Sequence, residues 1–121
     1  MEYLRALVLG TSVIASVTDG DTVVTRSGER VRLTGFNTPE LHHPHCAREA
    51  MLAKAATLRL RAFVRSGAVL HLQPGRCGYG RSCGRLTWQG EDVGDILVRE
   101  GLAEPFVCAG GRCPAPRDWC S

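Results

Sequence analysis

Lysine is almost missing from this chain: Lys54 stands alone against fourteen arginines in 121 residues. Aromatic residues are also scarce, at 6%, which leaves few rings to act as stacking platforms for bases. No apolar run is long enough to cross a bilayer as a helix. No pair of CxxC knuckles occurs, which argues against a structural zinc site, although His42, His43, His45 and Cys46 are dense in possible ligands. There are no internal repeats. There is no acidic excess either: the net charge is +3, a mild bias toward anionic partners. The choice of cation says more than the charge. Arginine offers a planar fork that matches phosphate, although GC-rich coding produces the same bias.

What is present is an ordinary globular composition, 44% hydrophobic and 22% charged, in a chain of one-domain length. A chain of this size buries roughly two thirds of its unfolded surface, enough for one core. The six cysteines, an even number, read as three disulfides and an oxidising compartment, secreted or periplasmic. Fifteen pairings are open. Cys77 and Cys83 flank a short glycine-rich loop and are the favoured pair. Cys108 with Cys113, and Cys46 with Cys120, follow as guesses. No clean export signal accompanies them: 6–17 is short, contains Thr11 and Ser12, and is read as mature structure, with a true signal peptide trimmed or never included.

The pattern predicts a first strand over 12–18, with Val13, Ala15 and Val17 on one face. A turn at Asp19-Gly20-Asp21 follows, in which Gly20 tolerates positive φ. A second strand is expected over 22–26, a tight hairpin turn at Ser27-Gly28, and a third strand over 29–36 with Val31 and Leu33 inward and Arg32 outward. Met51, Ala55, Leu58 and Ala62 recur at helical spacing in a helix over 47–65, ended by Ser66-Gly67. A fourth strand over 70–73, a glycine-rich loop over 75–84 and a fifth strand over 85–88 come next. His71 reads as a satisfied surface histidine. Asp92 caps a short helix through Glu100, closed by Gly101. This order suits a mainly β, α+β fold: a five-stranded Greek-key barrel of the OB type, with one helix between strands 3 and 4 and a short one after strand 5. The domain is set at 10–107, with a Cys/Pro-rich tail over 108–121 stapled to it.

Taken singly, the polar residues have plain readings. Asp19-Gly20-Asp21 is a turn signal, Arg32 a solvated strand residue, Glu40 a loop charge and Arg81 a loop cation. Together they place hard oxygen donors beside arginine on adjacent strands. Hard oxygens hold Ca²⁺ or Mg²⁺, and arginine holds phosphate. The combination points to phosphate chemistry.

Four motifs in order resemble the staphylococcal nuclease-like (thermonuclease) family, over about 12–106. Asp19-Gly20-Asp21-Thr22 is similar to its DGDT. Arg32 with Asn37-Thr38-Pro39-Glu40 resembles its R-x4-D-[TA]-P-E, with asparagine in the place of aspartate. Tyr79-Gly80-Arg81 matches its YGR, and Val93 to Ala103 resembles the helix-to-glycine segment that ends its barrel.

The resemblance implies a Ca²⁺ site, or one for another divalent cation held weakly, made by Asp21, Asn37 and the backbone carbonyl of Thr38. It implies Glu40 as the residue that orients or deprotonates the attacking water. Arg32 and Arg81 would clamp the scissile phosphate, and Tyr79 would lie near the nucleotide. The substrate would be DNA or RNA, cut with low sequence specificity to 3′-phosphorylated products by a monomer without a membrane partner. Asn37 removes one negative charge from the metal site, which lowers the expected affinity. Cys77 and Gly78 stand where the family often has charged residues, so a disulfide is expected to control the loop. The segment from Leu41 to Cys46 reads as a solvated loop. Two rivals remain at this stage: a non-catalytic nucleic-acid-binding module, and a secreted interaction domain that has lost activity.

Overall fold

The computed structural model describes residues 13–121. The expected start of the first strand at Ser12, most of the 6–17 segment and the first residues of the 10–107 domain lie outside the described residues. Among the described residues eight short strands and two helices follow one another: β1 (Ile14–Asp19), β2 (Thr22–Thr25), β3 (Arg30–Leu33), β4 (Gly35–Asn37), α1 (Ala47–Arg65), β5 (Val69–Arg76), β6 (Ser82–Trp88), β7 (Glu91–Asp92), α2 (Val93–Arg99) and β8 (Glu104–Phe106). The main sheet has the order β1-β2-β3-β6-β5, with β7 paired to β6. A second, two-stranded sheet joins β4 to β8. All neighbours are antiparallel except β3 and β6.

The expected barrel of five strands is therefore redrawn. Among the described residues no backbone pairing joins β5 back to β1, so the sheet is open, and α1 lies against the β1 edge. The expected third strand is two strands. It breaks at Thr34, where Gly35 takes φ +94°, a left-handed conformation that costs glycine little. The break turns β4 out of the main sheet and onto β8. The last two strands of the main sheet are longer than expected. Parallel pairing of Val31 with Ser82 and of Arg32 with Cys83 carries β6 back to Ser82. Pairing of Arg76 with Ser82 carries β5 forward, leaving only Cys77–Arg81 as loop.

In β1 the buried residues are Ile14 and Val17, while Ala15 is exposed. An irregularity between Ile14 and Ser16 shifts the alternation expected for Val13, Ala15 and Val17. The β2–β3 connection is longer than the two-residue turn expected: the N–H of Gly28 bonds the Thr25 carbonyl, and that of Thr25 bonds the Glu29 carbonyl.

Helix α1 buries a different stripe from the one expected. Met51 is 70% and Leu58 50% exposed, whereas Ala53, Ala56, Thr57, Leu60 and Phe63 face inward. Both stripes have helical period, and only the tertiary packing chooses between them. The small Ala53 and Ala56 let the helix approach closely, and Leu60 and Phe63 fill the space beyond. Phe63 meets Trp88 edge to face, with centroids 5.3 Å apart. Val23, Val31, Leu33, Val93 and Leu97 complete the buried centre. Helix α2 is capped by the Asp92 carboxylate, which accepts from the Asp95 N–H at 3.2 Å, and the chain leaves it through Gly101 at φ +78°.

The six cysteines are bridged as Cys46–Cys120, Cys77–Cys83 and Cys108–Cys113. The first spans 74 residues and fastens the tail to the start of α1. Three disulfides suit an oxidising compartment. No helix of the described residues is long and apolar enough to cross a membrane.

Candidate active site

Asp21, Arg32, Asn37, Thr38, Glu40, Tyr79 and Arg81 line one cavity of about 1430 Å³. Four local devices bring them there. Asp19-Gly20-Asp21 closes the tip between β1 and β2, and the Asp21 N–H donates to Asp19 Oδ1 at 3.1 Å. Gly20 is not in a positive-φ conformation; what it provides is space. A Cβ at this position would lie 2.8 Å from the side chain of Thr38, so glycine lets the turn sit directly on Thr38. The break at Thr34 and Gly35 swings Asn37 and Thr38 toward Asp21. Finally, the Cys77–Cys83 bridge and the Arg81 N–H to Gly78 carbonyl bond, at 2.9 Å, hold the loop that carries Tyr79 and Arg81.

Arg32 sits at the centre. Its Nη1 lies 3.0 Å from Asp21 Oδ2 and donates to the Leu33 carbonyl at 2.8 Å. Its Nη2 donates to the Phe36 carbonyl at 3.1 Å and reaches Asn37 Oδ1 at 3.5 Å. The guanidinium is thus held in one orientation by oxygens of the same face. Asp21 is buried, with its carboxylate accepting from the hydroxyls of Thr22 and Thr38 at 3.1 and 3.2 Å. Burial pushes its pKa up to about 6; Arg32 opposes the rise, and the neighbouring Asp19 carboxylate adds to it.

Arg81 donates from Nε to the Gly78 carbonyl and from Nη2 to the Cys77 carbonyl, at 3.2 and 3.1 Å. Its guanidinium lies 5.4 Å from the centre of the Tyr79 ring. Tyr79 is 86% exposed, with φ +54°, and its carbonyl accepts a hydrogen bond from Arg30. The loop therefore presents the Tyr79 ring to solvent at the rim of the cavity, with the half-buried Arg81 guanidinium beside it.

Three residues that the motifs leave without a role complete the site. Asp19 lines the cavity beside Asp21. Glu49, buried in the first turn of α1, accepts the Glu40 N–H at 3.2 Å, the His45 N–H at 2.7 Å and the His45 ring nitrogen Nδ1 at 2.8 Å. It fixes the segment that carries Glu40. The sequence holds a signal for it: Cys46 caps α1, with Glu49 three residues on, in the spacing of a capping box. Glu104 accepts the Asn37 Nδ2 donor at 3.1 Å and the Arg117 N–H at 2.9 Å, both on Oε2. No local signal marks it, because the contact is made across the β4–β8 pair.

The donor set suits a hard divalent cation in kind. Asp19 and Asp21 supply carboxylates, and Asn37 Oδ1 and Thr38 supply neutral oxygens on the same cavity wall. The pKa of Asp21 is raised chiefly by its own burial, which the Arg32 guanidinium only partly offsets, with the half-buried Asp19 carboxylate adding to the rise. Among the described residues no three His, Cys, Asp or Glu side chains group as a metal site. A cation here would therefore lean on two carboxylates and on neutral oxygens. The histidine-rich segment is not drawn into such a site: the Cys46 sulfur is bridged to Cys120, and His42 and His43 are exposed.

An open, strand-rich α+β sheet with basic and acidic groups facing one cleft is the class that the fold and site define. A family model described as staphylococcal nuclease homologue matches residues 30–112, and the chain belongs to that family, whose domain is OB-fold-like. The match begins at Arg30, so Asp21 comes from the chain before it, and the final turn of the tail comes from the chain after it. No curated protein matches the chain.

Proposed function

We propose that this protein is a phosphodiesterase of nucleic acids, DNA or RNA, assisted by a divalent cation, Ca²⁺ by family resemblance. The observation that carries the reading is the convergence of Asp21, Arg32, Glu40 and Arg81 on one cavity, since they come from three separated stretches of chain. Asp21, Asn37 Oδ1 and the Thr38 carbonyl would hold the cation, which when bound supplies Lewis-acid stabilisation of phosphate charge. Arg32 and Arg81 hold the phosphate oxygens. Negative charge grows on these oxygens during attack, and prepositioned guanidinium donors act most strongly at that point. For Arg32 the substrate phosphate competes with Asp21 Oδ2 for a guanidinium already oriented. The exposed carboxylate of Glu40 accepts a proton from the attacking water. The water oxygen bonds to phosphorus, the bond to the 5′ oxygen breaks, and that oxygen leaves as a hydroxyl after taking a proton from solvent. The products are a 3′-phosphate and a 5′-hydroxyl, as the family resemblance implies. Tyr79 lies beside the nucleotide.

The sheet path β1-β2-β3-β6-β5 is the strand order that we read as an OB-type Greek key. The domain reading of 10–107 with a stapled tail, action as a monomer, export to an oxidising compartment and low sequence specificity belong to the same proposal, the last because the contacts are to backbone phosphate. One observation favours the second reading, a binding module without catalysis: the Asn37 amide is engaged with Glu104 and Arg32.

Cleavage of plasmid and of single-stranded DNA by the oxidised protein, in Ca²⁺, Mg²⁺ or EDTA, separates the two. Metal-dependent cleavage is expected, reduced about 10²-fold or more in Arg32→Ala and Glu40→Gln. Binding without cleavage in every condition would establish the second reading, and unchanged activity in both variants would refute these site assignments.

A further inference from the structure

The same cavity is lined on another side by residues beyond the family match: Pro116, Arg117, Asp118, Trp119 and Cys120. Three separate anchors hold this segment. Cys120 is bonded to Cys46 at the start of α1. Trp119 is buried, 4% exposed, among otherwise exposed tail residues. The Arg117 N–H donates to Glu104 Oε2, the atom that also receives Asn37. The exposed Arg117 guanidinium lies 4.5 Å from the centre of the Trp119 ring, so a buried aromatic supports a cation at the cavity surface. The Asp118 carboxylate beside it is turned back into the tail, accepting from the Cys120 N–H at 2.9 Å and from the Ser121 hydroxyl.

We propose that this tail is a fixed wall of the substrate cleft and that Arg117 contacts a phosphate of the bound strand adjoining the one held by Arg32 and Arg81. The proposal rests on the reading of the cavity as a nucleic-acid site. The tether supplies the rigidity, since without it the tail's own backbone pairing reduces to a small turn between Ala109 and Arg112.

The test is fluorescence anisotropy of a labelled oligothymidylate in EDTA across a range of salt. Arg117→Ala should weaken single-strand binding several-fold and reduce the salt slope by about 0.7, the loss of one phosphate contact. Arg117→Lys should keep the slope. The paired variant Cys46→Ala/Cys120→Ala, which frees the tail, should lower the slope as Arg117→Ala does. An unchanged slope in Arg117→Ala overturns the contact, and an unchanged slope in the paired variant overturns the fixed wall. Arg117 is exposed, so its variants remain informative should the paired cysteine variant fail to fold. Arg81→Ala keeps the two readings apart. Loss of binding in Arg81→Ala alone rejects the tail and leaves the nucleic-acid site standing, whereas no binding by any form, with no cleavage, rejects both.

Discussion

Asn37 and Glu104 are register partners across the β4–β8 pair, and the Asn37 Nδ2 donates to Glu104 Oε2 at 3.1 Å. The bond fixes the amide so that Oδ1, the only atom of this side chain able to hold a cation, faces Arg32 and the cavity. Asparagine here is more than a lost charge, because an aspartate would set two carboxylates against each other. Asn37→Asp should therefore destabilise the protein in EDTA by about 1.5–3 kcal/mol, the range for a hydrogen bond to a charged group, as read from urea unfolding. Adding Glu104→Gln should recover most of the loss. In calorimetric titration Asn37→Asp should bind Ca²⁺ more tightly than the parent. Equal stability of parent and Asn37→Asp in EDTA would remove the pairing argument.

Glu49 should matter to activity without touching substrate. Its carboxylate holds the N–H groups of Glu40 and His45, so Glu49→Gln should lower kcat several-fold with little change in KM. The hydrogen bond from the His45 N–H is the main reason its pKa lies below the ordinary 4.5. Because the folded value is the lower one, the stability that Glu49 contributes is fully present above about pH 4.5 and is lost as pH falls through the depressed value. Thermal melts from pH 6 down to 3 should show a steeper decline in the parent than in Glu49→Gln.

The Cys46–Cys120 bridge closes the longest loop of the three. The chain-entropy relation assigns a loop of that length about 4 kcal/mol, against about 2 for the Cys77–Cys83 loop. Urea unfolding of Cys46→Ala/Cys120→Ala should accordingly show a larger fall in midpoint than Cys77→Ala/Cys83→Ala. The second pair should instead act on substrate affinity, through the loop that carries Tyr79 and Arg81. A reversed order of midpoints would count against the loop-length account.

Gly20→Ala tests a contact rather than a conformation. The new methyl would meet Thr38 side-chain atoms at 2.8–2.9 Å, at a position where both Gly20 and Thr38 are buried. Overpacking of this kind costs about 1–3 kcal/mol. Cleavage should fall further than the stability loss explains, because Asp21 and Thr38 move apart together. Combining it with Thr38→Ser, which removes one of the clashing atoms, should restore part of the stability.

Much of the molecule was legible where neighbours in sequence decide the outcome. Ser66-Gly67 ends α1, and Asp92 with Gly101 bounds α2, because caps act on the turn beside them. Other features were hidden by equally good local alternatives. The stripe through Met51 and Leu58 has the same period as the one through Leu60 and Phe63, and nothing in the helix itself prefers either. Strand β6 begins at Ser82 because β3 lies beside it in parallel and Arg76 of β5 pairs with it on the other side, pairings invisible to a reading of the loop's glycines.

The candidate site divides in the same way. Sequence by itself determined the chemistry on offer: carboxylates at Asp19 and Asp21, guanidinium at Arg32 and Arg81, an amide at Asn37, and cysteines in number for three bridges. Only the tertiary structure decided which groups meet. It set Glu104 against Asn37, placed Glu49 beneath Glu40, and brought the Arg117–Trp119 turn to the cavity wall. The physical reason is range. Caps and turns are fixed by hydrogen bonds among adjacent residues, whereas the pairing of β4 with β8 and the closure of Cys46 on Cys120 depend on where the whole core places segments that are distant in the chain.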